Sequence, residues 1–277
     1  MKMKNRFLLL LVLTIPFVLV SQRKPKIKGN RSVTEVNETL PAFSAIELND
    51  DLEIRLKKSF GEGYEIVADD NLVDVLKFEV VDSTLIISSF YSIVSRKKLE
   101  ITVNFRELRA ITQKDGKIFS DTMIESDALF INTFGNSELD IDASGFTANV
   151  NAEDSSRIDL NLDIDSLNVS LKDKTDAIIY AVSGAKTVNL QHTASLILEG
   201  TTENLRVDMS GNSKLKGDKL EAAEVDLTIQ ESSFARIYAY RNFGLNSSGS
   251  ARTFLYGTPK VAIGDFLDTS QLLKKTD

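Results

Sequence analysis

Asp140 and Asp142 stand two residues apart, and Asp159, Asp163 and Asp165 follow within one further stretch of chain. In an extended chain, residues i and i+2 point the same way. Asp140 and Asp142 therefore share a side, and Asp159 joins them if the chain returns to the same place one repeat later. Clustered carboxylates are hard oxygen ligands that suit Ca²⁺, as in a polysaccharide-active β-helix enzyme of the Ca-dependent lyase kind. The Gly-Gly-x-Gly-x-Asp repeats of calcium-binding solenoids are missing, however, so these carboxylates read as a solvated outer face. Used as a glycosidase pair they would need a cleft around them, and nothing in the sequence marks one. His192 is the single histidine and Cys is absent, which rules out a multi-histidine or thiolate metal site within one chain. The alternation places His192 inward or at a corner, as a packed or hydrogen-bonded residue. Ser248-Gly249-Ser250 is a turn between strands, not the strand-to-helix elbow of a serine nucleophile. No catalytic residue, metal ligand or cofactor is assigned.

A second set of residues suggests recognition. If Ala235, Ile237 and Ala239 face inward, Phe234, Arg236, Tyr238 and Tyr240 face outward. Eighteen residues on, Thr253 and Leu255 face inward while Arg252, Phe254 and Tyr256 face outward. Equal offsets stack Phe234 on Arg252, Arg236 on Phe254 and Tyr238 on Tyr256. Such an aromatic–guanidinium ladder suits stacking on a sugar or contact with another protein, where Tyr and Arg are favoured. Cover by residues 266–273 or by the C-terminal tail, or contact with another copy in a homo-oligomer, would use the same surface.

The elements that must position these groups come from a repeat. Units alternate apolar residues at i, i+2 and i+4, turn through small polar residues, and alternate again near i+10. Leu129-x-Ile131-x-Thr133, Gly135-Asn136-Ser137, Leu139-x-Ile141 is one unit; Leu205-x-Val207-x-Met209, Gly211-Asn212-Ser213, Leu215 is another. The anchors Leu108, Leu129, Ala148, Leu167, Val188, Leu205, Val225, Phe243 and Val261 lie 17 to 21 residues apart. Period-two alternation inside a period near nineteen means stacked coils of strand, an all-β β-helix or β-solenoid. Its strands run parallel, and right-handed winding is the default for parallel crossovers. Ser137, Ser156, Thr175, Ser213 and Ser233 recur at one offset and should form a polar ladder along one corner.

The chain divides accordingly into residues 1–21, 22–41, 42–107, 108–264 and 265–277. Lys2, Lys4 and Arg6 precede the apolar run Phe7–Val20, which is shorter than a bilayer span and ends near a small residue, Ser21. Residues 1–21 read as a secretory signal peptide, or as an N-terminal anchor if uncleaved; no Cys follows to carry a lipid. With cleavage, no transmembrane helix is expected in the mature chain. Residues 22–41 are polar, with Arg23, Lys24, Lys26, Lys28 and Arg31, and read as a flexible linker. Residues 42–107 form irregular strands that cap the first coil, with a helical turn near Val73–Leu76 and a hairpin turn at Asp82-Ser83. Residues 108–264 are the solenoid and 265–277 a polar tail.

The whole chain carries a formal net charge of −7. Cleavage after Ser21 removes three of 33 basic residues and none of 40 acidic ones. The mature protein is therefore distinctly acidic, which argues against a nucleic-acid or anionic-lipid partner.

These residues carry a family resemblance. Phe43-x-x-Ile46 followed by Leu52-Glu53-Ile54, the recurring Gly/Ser-x-Ser turns, and the closing Gly249-Ser250-Ala251-Arg252-x-x-x-Tyr256-Gly257-Thr258-Pro259-Lys260-Val261 resemble the auto-transporter adhesin, head GIN domain family of exported bacterial proteins. The likeness covers about residues 42–264. Lys174-Thr175 and Ala194-Ser195 depart from it, since those turns lack Gly. The resemblance implies an all-β, β-helix-like protein of the cell envelope, named for adhesion. With export and the outward ladder, the expectation is a periplasmic, outer-membrane-associated or cell-surface binding module for a protein or glycan. The resemblance implies no catalytic residues.

Overall fold

The computed structural model of the chain describes residues 24–275, so the signal-peptide reading of residues 1–21 lies outside the described residues. It is a β-solenoid of about 9 turns, 69% strand and 2% helix, with its coils stacked in parallel. Five successive strands, Glu138–Ala152, Arg157–Leu171, Asp176–Leu190, Ser195–Met209 and Lys214–Ile229, each run along two faces of a coil. Each pairs in parallel with the next, residue for residue over most of its length. Inward positions such as Leu139, Ile141, Ile158, Leu160, Val207 and Leu227 are buried in one continuous apolar core. No coil closes its own core, so every rung depends on its neighbours.

The turn after each second face reuses one backbone solution. Gly135, Asp154, Asp173, His192, Gly211, Glu231, Gly249 and Asp268 all take positive φ, between 57° and 78°. Two residues later comes the expected polar ladder. Ser137, Ser156, Thr175, Ser213 and Ser233 are all buried. Ser156 and Thr175 donate their hydroxyls to the carbonyls of Glu153 and Lys172, at 2.8 and 2.7 Å. Carboxylates tie the turns together: Asp154 Oδ2 accepts the Gly135 N–H at 2.9 Å, and Asp268 Oδ2 accepts that of Gly249 at 2.8 Å.

His192 takes the corner of the two positions that the alternation allows, and is hydrogen-bonded there. It occupies the left-handed turn position, exposed, with Nδ1 2.7 Å from Asp173 Oδ1. The repeat anchor, by contrast, moves. Leu167 pairs with Lys186, and Lys186 with Leu205. The true rung is therefore Lys186, nineteen residues from each neighbour, and not Val188. Alternation had passed over it because a lysine occupied an inward site.

The N-terminal region is more regular than its sequence suggests. Ala45–Leu48 and Glu53–Lys58 form a coil lying between that of Thr84–Ser89 with Leu99–Phe105 and that of Ala110–Gln113 with Lys117–Ser120. Antiparallel strands then close the end. Leu76–Val81 pairs with Thr84–Ser89 through the Asp82-Ser83 turn, and Gly63–Asp69 pairs with both Leu99–Phe105 and Val33–Thr39. The helical turn falls at Asp70–Val73. Residues 22–41 are thus not a free spacer over their described part, because Lys26–Lys28 and Val33–Thr39 are paired strands. A buried carboxylate fixes them. Asp69 accepts the N–H groups of Lys97 (3.0 Å), Arg31 and Lys98 (both 3.2 Å). At the other end, Gln271–Lys274 pairs with Arg252–Tyr256. Part of the expected tail is therefore one more rung.

Candidate functional site

The outward ladder is built by Phe234–Ser247 and Arg252–Tyr256, whose register joins Phe234 to Arg252, Arg236 to Phe254 and Tyr238 to Tyr256. Inward Ala235, Ile237 and Leu255 are buried, which holds the alternate side chains on the outer face. Phe234 and Phe254 meet edge to face with centroids 5.3 Å apart. The Arg236 guanidinium lies 5.9 Å from the Phe234 ring centre and 4.0 Å from Asp218, and Lys275 Nζ sits 4.5 Å from the Phe254 ring centre. Both contacts draw a cation to the negative face of a ring. Phe234, Arg236, Tyr238, Phe254 and Tyr256 are half-buried, while Tyr240 and Arg252 are exposed. Arg236 Nε is buried with no acceptor. The strand Gln271–Lys274 lengthens this face by a rung.

The same face extends back through the stack. Asp140 pairs with Asp159, Asp159 with Ile178, Ile178 with Ile197, Ile197 with Lys216, and Lys216 with Arg236. Ile178, Tyr180 and Val182 are exposed at 48%, 49% and 41%, an apolar patch that lies between the carboxylate row and the aromatic ladder. Sequence reasoning missed it. The signal was present, since the unbroken apolar run Ala177–Val182 fills outward as well as inward positions.

The carboxylate cluster forms as a row. Burial, then the neighbouring Asp140 and Asp142, push the Asp159 carboxyl above its usual range. Among the described residues, no three His, Cys, Asp or Glu side chains converge as a metal site would require. Asp159 and Arg236 are four rungs apart, about 19 Å at ordinary strand spacing. That is too far for one sugar unit to meet both. Elsewhere, Lys186 is buried at an inward position. Its Nζ donates to Ser183 Oγ (2.8 Å) and the Thr201 carbonyl (2.7 Å), and desolvation lowers its pKa from 10.5 to about 8.

With this geometry, the comparisons with known proteins become decisive for kinship. The family model described as "Putative auto-transporter adhesin, head GIN domain" matches residues 42–195 and 179–259. The chain belongs to that family. Its fold recurs in crystal structures of a "putative adhesin" from Parabacteroides merdae (TM-score 0.68, 17% identity, covering 91% of this chain and 99% of that one) and of another from Parabacteroides distasonis (0.69, 15%, 90% and 100%). A third similar structure, from Parabacteroides distasonis, is described as a "Putative lipid binding protein" (0.62, 18%, 90% and 99%). At these identities the likeness is one of fold. No protein of curated function matches the chain. No helix among the described residues is long and apolar enough to cross a membrane.

Proposed function

We propose that this member of the adhesin family is a non-catalytic, exported module of the cell envelope that binds a protein or glycan through the outer face carrying Phe234, Arg236, Tyr238, Tyr240, Arg252, Phe254 and Tyr256. The observation that carries this reading is the register itself, which aligns rings and guanidiniums of consecutive coils on an accessible face. Core packing does not require aromatic side chains at outward positions, and a rigid ladder loses little freedom when it binds. Family membership supports the envelope setting.

The test is binding of residues 22–277 to a glycan array and to a panel of cell surfaces, repeated with Tyr238→Ala and Phe254→Ala. Lost binding with unchanged thermal melting supports the reading. Unchanged binding by both variants overturns it, and loss of stability in step with binding shows instead that the rings hold the final coils together.

A further inference from the structure

One continuous outward column runs Arg55, Phe119, Asp140, Asp159, Ile178, Ile197, Lys216, Arg236, Phe254, Leu273, each residue paired in register with the next. Read from its centre, its eight inner rungs, Phe119 to Phe254, are antisymmetric in charge. The middle rungs are Ile178 and Ile197. Moving outward, Asp159 lies opposite Lys216 in order, Asp140 opposite Arg236, and Phe119 opposite Phe254. A two-fold rotation about an axis through the middle of this face reverses the order of rungs. It would lay Asp159 and Asp140 of one copy on Lys216 and Arg236 of the other, Ile178 on Ile197 and Phe119 on Phe254; only the outermost pair of the column, Arg55 and Leu273, falls outside the match.

We propose that this face binds a second copy of the chain, with the two-fold axis between the Ile178 and Ile197 rungs. The proposal rests on the reading of the outer face as a binding surface and names the partner. A two-fold contact is isologous, so self-complementarity is its geometric requirement. In the pair, Asp159 faces Lys216 of the second copy, Asp140 faces Arg236 of the second copy, and the exposed Ile178 and Tyr180 are withdrawn from water at the centre. Two flanking pairings run against the pattern, the first being Asp142 of one copy against the Phe234 ring of the other. The other brings Asp176 to face Glu199 of the second copy, but Glu199 already holds Lys219 at 3.0 Å within its own chain, which offsets the repulsion. The contact spans seven rung intervals, about 34 Å, and three outward positions in width, roughly 600 Å² per copy. That is the low end for a specific interface. The association is therefore reversible and concentration-dependent, and salt weakens it.

Sedimentation velocity of residues 22–277 across a range up to about 0.5 mM tests this. Wild type is expected to dimerise. Asp140→Arg and Arg236→Asp are each expected to weaken self-association about a hundredfold, since each places two like-charge pairs across the axis. Mixed in equal amounts, the two variants should form a heterodimer, because both cross-axis pairs become complementary again. Asp159→Arg with Lys216→Asp provides the same cross if Arg236→Asp fails to fold. The inference is overturned by a wild type that stays monomeric throughout, by a dimer indifferent to the charge reversals, or by folded variants that do not associate on mixing. A monomeric wild type that still binds glycans or cells through Tyr238 and Phe254 would sink the second copy alone. A dimer that obeys the charge cross while both Ala variants keep all other binding would sink the ligand reading alone.

Discussion

Replacing Lys186 by Met should stabilise the protein at neutral pH, and the gain should fade as pH rises. The amine takes an inward rung that Leu167 and Leu205 fill in the adjoining coils, and it donates to Ser183 Oγ and the Thr201 carbonyl. Desolvation moves its pKa from 10.5 to about 8, a displacement worth about 3 kcal/mol. Relaxation of the surroundings around the buried charge trims this to roughly 2 kcal/mol. Met has nearly the same length and volume, so no cavity opens, while the lost hydrogen bonds cost about 1 kcal/mol. The variant should therefore be about 1 kcal/mol more stable at pH 7. Between pH 8 and 10.5 the unfolded chain keeps a proton on this amine that the folded chain has released, so wild-type stability rises with pH. Below pH 8 both states are protonated and the full penalty applies. Paired urea melts of wild type and Lys186→Met at pH 7, 8.5 and 10 measure the gap. A gap that does not shrink with pH, or a Met variant at least 2 kcal/mol less stable at pH 7, would refute the argument.

Asp69→Asn should loosen the N-terminal cap, because an amide nitrogen then competes with the N–H groups of Arg31, Lys97 and Lys98. Amide exchange at those three residues should quicken at least tenfold. Lys97, then burial acting the other way, then Arg31 and Lys98 set the Asp69 pKa, and the net effect lowers it. Its contribution is thus present above the unfolded carboxyl pKa and is lost as pH falls through the folded one, so the variant's acid limb should be flatter than wild type's. Gly211→Ala should destabilise by about 1–3 kcal/mol in a thermal melt, since φ is 78° and a Cβ there would lie 2.5 Å from the His192 carbonyl oxygen. Asp159→Asn should raise the melting temperature by a few degrees at pH 7 and by nothing near pH 3, because the raised carboxyl pKa makes the ionised form the unfavourable one.

Alternation and period were enough to read a solenoid from the sequence, and the equal eighteen-residue offset between Phe234 and Arg252 was enough to align the ladder. Three features were hidden for physical reasons. Lys186 interrupts the inward pattern because its amine finds acceptors only in the folded corner, and no local pattern announces them. Val33–Thr39 carries weak alternation because it pairs on one side only and faces solvent on the other. His192 gives no sign of its left-handed φ, since its counterparts in neighbouring coils include Gly, Asp and Glu, and backbone geometry alone unites them. The outward apolar run Ala177–Val182 was legible, but its meaning depends on a register that joins it to residues nineteen and more positions away. The antisymmetric column is a property of stacking, visible only once each rung is matched to the next.

The claim that the outer Phe234–Tyr256 face is the binding surface meets its most direct test in attachment of coated beads. Beads bearing residues 22–277 should adhere to an envelope-derived surface or to one another. An Arg236→Ala/Phe254→Ala variant with wild-type melting should adhere at least tenfold less, a loss of about 1.4 kcal/mol or more. Equal adhesion by wild-type and variant beads would contradict the account.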